Sequence, residues 1–213
     1  MRVLLAIQRT VERLHAVKIG QRVTSYMVDA ATLASIPGAR EGLPEQLFVR
    51  QEADGLAIAL YIDPQIVRAL ERDNPFRQLH TGNLEAFAIA LEGVSHFVLL
   101  AYRAQLDRPV SQFELELQAE VDKFVSAWLL LAVQGQPLAQ TAQPLIAFLF
   151  DFYELRAALR PEEKTRYDEA SRAAARYCMR LVHHYERDQS SRRIARAVRQ
   201  FFRDSLADKL RAA

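Results

Sequence analysis

The sequence predicts a mainly α protein of the α+β kind: a helical bundle of about five long helices with a small N-terminal β-hairpin element. Three observations predict it. Apolar residues recur at three- and four-residue intervals through most of residues 81–213, which is the helical period. Residues 22–62 interrupt that pattern with β-rich pieces separated by Pro37, Gly38, Gly42 and Pro44. Of the 213 residues, 50% are hydrophobic and 25% charged, a globular composition that at this length buries about 70% of the open chain's surface. Residues 1–80 read as a helix, the β element and a short helix. Residues 81–213 read as the bundle with a basic C-terminal helical hairpin, and a shared core would join the two parts into one continuous domain.

The elements follow in order. Leu4, Ile7, Val11, Leu14 and Val17 predict a first helix over 2–18. Strand pieces are expected at 22–28, 47–51 and 56–62. Asp54-Gly55 suits a tight hairpin turn, with Leu56, Ile58, Leu60 and Ile62 on one face. Asp63-Pro64 reads as an N-cap followed by proline at the first helical position, opening a helix that ends before Asn74-Pro75. Thr81 or Asn83 caps a helix to about 105, ended by Asp107-Arg108-Pro109. Ser111 and Glu114 form a capping-box pattern that opens a helix to about 133. Residues 134–143 read as a polar loop, Pro144 as the start of a helix to about 159, and Pro161-Glu162-Glu163 as the start of one to about 186. Ser190 or Ser191 caps a last helix to about 210.

Composition and motif searches exclude several classes of function. The single cysteine, Cys178, permits no disulfide within the chain and fits a reducing compartment, so a cytoplasmic location is expected. It lies on a helix between Tyr177 and Met179 and reads as a buried, inert thiol. The apolar residues 3–7 are too few for a signal-peptide core, and residues 125–133, the longest strongly apolar run, are too few to span a bilayer, so no transmembrane segment is expected. The seven glycines form neither a dinucleotide fingerprint nor a phosphate loop. Ser95 sits mid-helix with Phe97 where a nucleophile elbow needs glycine. His183 and His184 are adjacent, which puts them about 100° apart on a helix and unlike a zinc-protease pair.

Two constellations remain. On the helix over 83–105, Leu84, Phe87, Leu91, Val94 and Val98 form an apolar face, while Glu85, Glu92, His96 and Arg103 fall within about 20° of one line. Ile89, Leu99 and Leu100 border that line, so its charges are expected to face protein and to need partners. On the next helix Phe113, Leu117, Val121, Phe124 and Trp128 define the core stripe, with Glu116 and Glu120 along its edge. Antiparallel packing of the two helices brings Glu92 and His96 toward Glu116 and Glu120. Carboxylates and imidazole gathered inside a bundle are ligands for a divalent metal, with Asp151, Glu154 or His183 as additional donors. The spacing departs from the Glu-x-x-His of di-iron bundles, and no second copy occurs. A structural network in which Arg103 and His96 pair the acids of the neighbouring helix is the preferred reading, and no cofactor is expected.

The second constellation is basic. Residues 1–155 hold 13 Lys/Arg against 18 Asp/Glu, and residues 156–213 hold 15 against 8. Arg172, Arg176 and Arg180, continued by His183 and Arg187, form one row at helical spacing. Arg192, Arg196, Arg199 and Arg203 form another beside Ile194, Val198, Phe201 or Phe202, Leu206 and Leu210. A guanidinium fork suits carboxylate or phosphate. The expectation is therefore a non-catalytic binding or regulatory protein that contacts an acidic protein partner, or a second copy of itself, through these seven arginines. The alternatives are a metal-binding helical-bundle enzyme or sensor using Glu92, His96, Glu116 and Glu120, and nonspecific nucleic-acid binding.

Overall fold

A computed structural model describes residues 1–53, 55–151 and 160–213. The chain is mainly helical with one two-stranded antiparallel sheet near its N-terminal side, as the composition and periodicity predict. Helix α1 (Arg2–His15) buries Leu4, Ile7 and Val11. It ends before the expected residue 18 because Ala16 turns left-handed, with φ 51°. The piece at 22–28 is not a full strand: Val23–Ser25 form a short 3-10 turn. Only the end of the piece joins the sheet, Leu60 N–H donating to Tyr26 O at 2.8 Å and Val28 N–H to Leu60 O at 2.9 Å. A short helix unforeseen in the sequence, α2 (Ala30–Ser35), starts where the Asp29 side chain accepts from Thr32 N–H.

Strands β1 (Glu45–Glu52) and β2 (Gly55–Ile62) pair with Glu45 opposite Ile62 and Glu52 opposite Gly55. The proposed Asp54-Gly55 turn includes Asp54, which lies outside the described residues. Burial along β2 does not alternate as a one-faced strand would. It rises toward Leu60, Tyr61 and Ile62, where the hairpin runs into the helices. Helix α3 (Pro64–Arg72) is capped by Asp63 as expected.

Helix α4 (Thr81–Ala104) is the centre of the molecule, with Phe87, Leu91, Val94 and Val98 fully enclosed between α1, α3, the hairpin and α5. Its cap is His80 and not Thr81 or Asn83: His80 Nδ1 accepts from Gly82 N–H, and Asn83 Oδ1 accepts in return from His80 N–H. Among the described residues α4 alone is long and apolar enough to cross a membrane, and 72% of that apolar stretch is buried inside the bundle. Helix α5 (Gln112–Val133) starts at Ser111, whose hydroxyl accepts from Glu114 N–H at 3.1 Å. Leu117, Val121, Phe124 and Trp128 on α5 are fully buried, each contributing roughly 1.5–3 kcal/mol by leaving water.

Two expectations fail in the C-terminal half. Residues 138–143 are not loop, because helix α6 (Leu138–Ile146) already encloses Pro144, and Ala147–Asp151 continue it as a π turn. Trp128 Nε1–H anchors the start of α6 by donating to Leu138 O at 2.8 Å. The expected end of that helix near residue 159 lies outside the described residues. After α7 (Pro161–Asp188), the single last helix is in fact two, α8 (Ser191–Arg203) and α9 (Leu206–Ala212). Asp204 is extended between them, and Ser205 supplies a second cap by accepting from Asp208 N–H.

Candidate metal centre

Antiparallel packing of α4 on α5 brings together the residues their spacing singled out. His96 Nε2 faces Glu116 Oε2 at 3.6 Å, and one ligand atom from each of Glu92, His96 and Glu116 lies within 4.8 Å of the others. Glu120 is also buried here, but it turns to Lys123, whose Nζ stands 2.6 Å from Glu120 Oε1 and 3.0 Å from Glu92 Oε2. Of the charged line on α4, Glu85 is exposed and takes no part, and Arg103 pairs with Glu114 at 2.5 Å, well away from His96 along the helix.

The hairpin adds a group that the sequence did not reveal. Glu45, the first residue of β1, places Oε1 3.5 Å from His96 Nδ1. It reaches this point because position 93 is glycine: a Cβ there would lie 2.8 Å from Glu45 Cγ and 2.9 Å from its Oε1. From α7, Arg166 Nη2 approaches Glu116 Oε1 at 3.8 Å. Four carboxylates, an imidazole, an ammonium and a guanidinium thus meet where α4, α5, β1 and α7 converge.

Several of these groups remain unsatisfied. His96 Nε2, Glu45 Oε1, Glu120 Oε2 and Arg166 Nε are buried and have no hydrogen-bond partner among the described residues. Buried polar atoms are nearly always bonded, so four orphans in one place are unusual. The charges respond to the crowding. Burial pushes the Glu45 and Glu120 carboxyls up, helped by neighbouring carboxylates and opposed by His96 and Lys123 respectively. For His96, burial pulls the imidazole down, but Glu116 and Glu45 outweigh it and hold the pKa well above its usual range. Lys123 is held above its ordinary value by Glu120 and Glu92 against the cost of burial.

The centre is reachable. A cavity of about 510 Å³ lies between β1, the loop before it and the first turns of α5 and α7, with His96, Glu45 and Glu116 on its floor and Arg166 and Tyr167 on its wall. The chain matches no protein-family model, no curated protein and no solved structure. The side chain of Asp151 and the whole of Glu154, considered as further donors, lie outside the described residues, and His183 is exposed on α7.

The seven arginines are placed differently from a single basic face. Arg172 is exposed and pairs with Asp168 one turn away at 2.7 Å. Arg176 donates to Ala213 O at 3.2 Å and Arg180 to Ala212 O at 3.0 Å, holding the end of α9. Arg199 Nε donates to Leu14 O at 3.0 Å, and Arg203 Nη2 to His15 O and Ala16 O at 2.9 and 3.1 Å, closing the last turn of α1. Arg192 and Arg196 are exposed and make no hydrogen bond or ion pair among the described residues.

Two other groups are accounted for within the core. Cys178 is fully buried, and burial pushes its thiol well above the ordinary value, with Glu120 and Asp122 adding to the effect. Ser95 donates to Asp122 Oδ2 at 2.6 Å, inside a network that also holds His15 Nε2 at 2.8 Å from Asp122 Oδ1. Ser95, His15 and Asp122 are all fully buried, and Asp122 bonds the other two between α1, α4 and α5.

Proposed function

We propose that the chain is a metal-binding helical-bundle protein in which Glu92, His96 and Glu116 hold one divalent first-row ion beneath a ligand cavity. The observation that carries this is His96: its Nε2 is buried 3.6 Å from Glu116 with no hydrogen-bond partner among the described residues, while its Nδ1 faces the Glu45 carboxylate. Two ligand atoms bound at 2.0–2.1 Å to a tetrahedral ion stand about 3.4 Å apart, close to that separation. A carboxylate behind the other ring nitrogen is the usual support of a metal-bound histidine. Lys123 already compensates Glu92 and Glu120, which leaves room for a single ion and not the pair of a di-iron bundle. Mixed imidazole and carboxylate donors suit zinc, iron or manganese. Elemental analysis of purified protein, followed by titration of chelator-treated protein with each metal, should give one ion per chain. His96→Ala should remove it while leaving the circular dichroism spectrum intact. Metal-free wild-type protein that takes up none of the three ions would discard the proposal.

A second reading is supported by Arg192 and Arg196, two arginines of the basic rows that are exposed and make no hydrogen bond or ion pair among the described residues. In it, α8 contacts an acidic protein surface through these two residues. Polyglutamate serves as the probe, with a mixed-sequence DNA duplex as the other arm. Binding that falls with salt and disappears in the Arg192→Glu, Arg196→Glu double variant supports it, preference for the duplex turns it toward nucleic acid, and equal binding by the variant rejects both.

A further inference from the structure

We infer that the cavity above the centre takes a small monocarboxylic acid with an apolar body, its carboxylate held between the ion and Arg166. This rests on the metal reading above and adds the ligand class. Arg166 is the first ground. Its guanidinium is anchored loosely, with Nη2 at 3.8 Å from Glu116, beyond hydrogen-bond reach, and its Nε is buried with no hydrogen-bond partner among the described residues. A buried donor left unbonded is costly, and a planar fork is matched best by a carboxylate. Arg40, the neighbouring guanidinium on the cavity wall, is already committed to Glu163.

Charge is the second ground. Glu45, Glu92, Glu116 and Glu120 stand against Lys123, Arg166 and a dication, so the floor is neutral when the imidazole is a ligand. Arg160 on the cavity wall adds one positive charge, which one monoanion balances. Shape is the third. The cavity of about 510 Å³ lies in the range of small-ligand pockets, and Leu43, Leu47, Phe48, Val110 and Leu115 line it beside the polar Gln46 and Gln112. The polar end of the ligand therefore points down to the ion and Arg166, and its apolar end lies along β1 and the start of α5.

Hexanoate and its uncharged analogue hexanamide test the inference by calorimetry on protein loaded with the ion it retains. Hexanoate should bind, hexanamide should bind roughly tenfold or more weakly, and Arg166→Gln should weaken hexanoate by a similar factor while leaving metal content unchanged. Arg166→Lys, which keeps the charge and loses the fork, should fall between. Melting curves of both variants check that they are folded. Protein that takes up no ion overturns the metal reading and this inference with it. Normal ion uptake combined with no hexanoate binding, or with equal binding by Arg166→Gln, overturns the inference alone.

Discussion

Gly93 sets how closely the hairpin lies on α4. A methyl group there would meet Glu45 Cγ and Oε1 and, at 3.1 Å, Leu60 Cδ1, all of them side-chain atoms able to move. Gly93→Ala gains helix propensity of about 1 kcal/mol, which offsets the repacking. The lasting effect falls on Glu45, which must leave His96. Stability should therefore change by less than about 1 kcal/mol, while metal affinity falls roughly 10–100-fold, the usual cost of losing a carboxylate behind a metal-bound histidine. Chemical denaturation beside a metal titration measures both, and unaltered affinity would show that Glu45 does not support the centre. Glu92, His96, Glu116 and Glu120 were legible from spacing, because each pair is four apart and the helices are joined by a short turn. Glu45 was not. It stands at the start of a strand, and only the docking of the hairpin on a glycine brings it to the imidazole.

At the scale of elements, α8 shows why a row of charges is a poor guide to a surface. Its spacing is helical, as predicted, yet the arginines at its C-terminal end reach the backbone carbonyls of α1, acceptors that no side-chain pattern records. Those carbonyls close a helix C-terminus, where a cation is favourable. Arg203→Ala should cost about 1–2 kcal/mol in urea unfolding, whereas the Arg192→Glu, Arg196→Glu variant should melt as the parent does. Equal stability of all three proteins would mean that the α1–α8 bonds carry no weight. The helical turn at 138–143, expected as part of the loop from 134, has a similar origin. Pro144 marks a helix start only when no earlier turn exists, and one does: Pro137 O accepts from the Gln140 and Thr141 N–H groups, beside Leu138 O held by Trp128. The caps at Asp63, Ser111 and Ser190 were legible because they depend only on neighbouring residues.

Across the whole molecule, a second polar assembly joins α1, α4, α5 and α9. His15 and Ser95 meet Asp122; Gln118 bridges Asp122 and Lys209; and Lys209 and Arg103 share Glu114. Burial lowers the Lys209 ammonium to about 8 from its ordinary 10.5, with Arg103 adding to the effect and Glu114 and Asp122 opposing it. Between those values the unfolded chain holds the proton that the folded chain has lost, so this group's contribution to stability rises with pH across that window. In Lys209→Met that rise is gone. The difference in unfolding free energy, parent minus variant, should climb from pH 8 to 10.5 and be level below 8. A difference that is level throughout would mean that Lys209 keeps an ordinary affinity for its proton. The two assemblies occupy different sides of α5: Glu114, Gln118 and Asp122 at four-residue steps on one, Glu116, Glu120 and Lys123 on the other, all buried. A greasy rod can spin about its long axis among packings of nearly equal energy. This one has a single azimuth, because advancing it by one residue, about 100°, would pull Asp122 from His15 and Glu116 from His96 in the same movement.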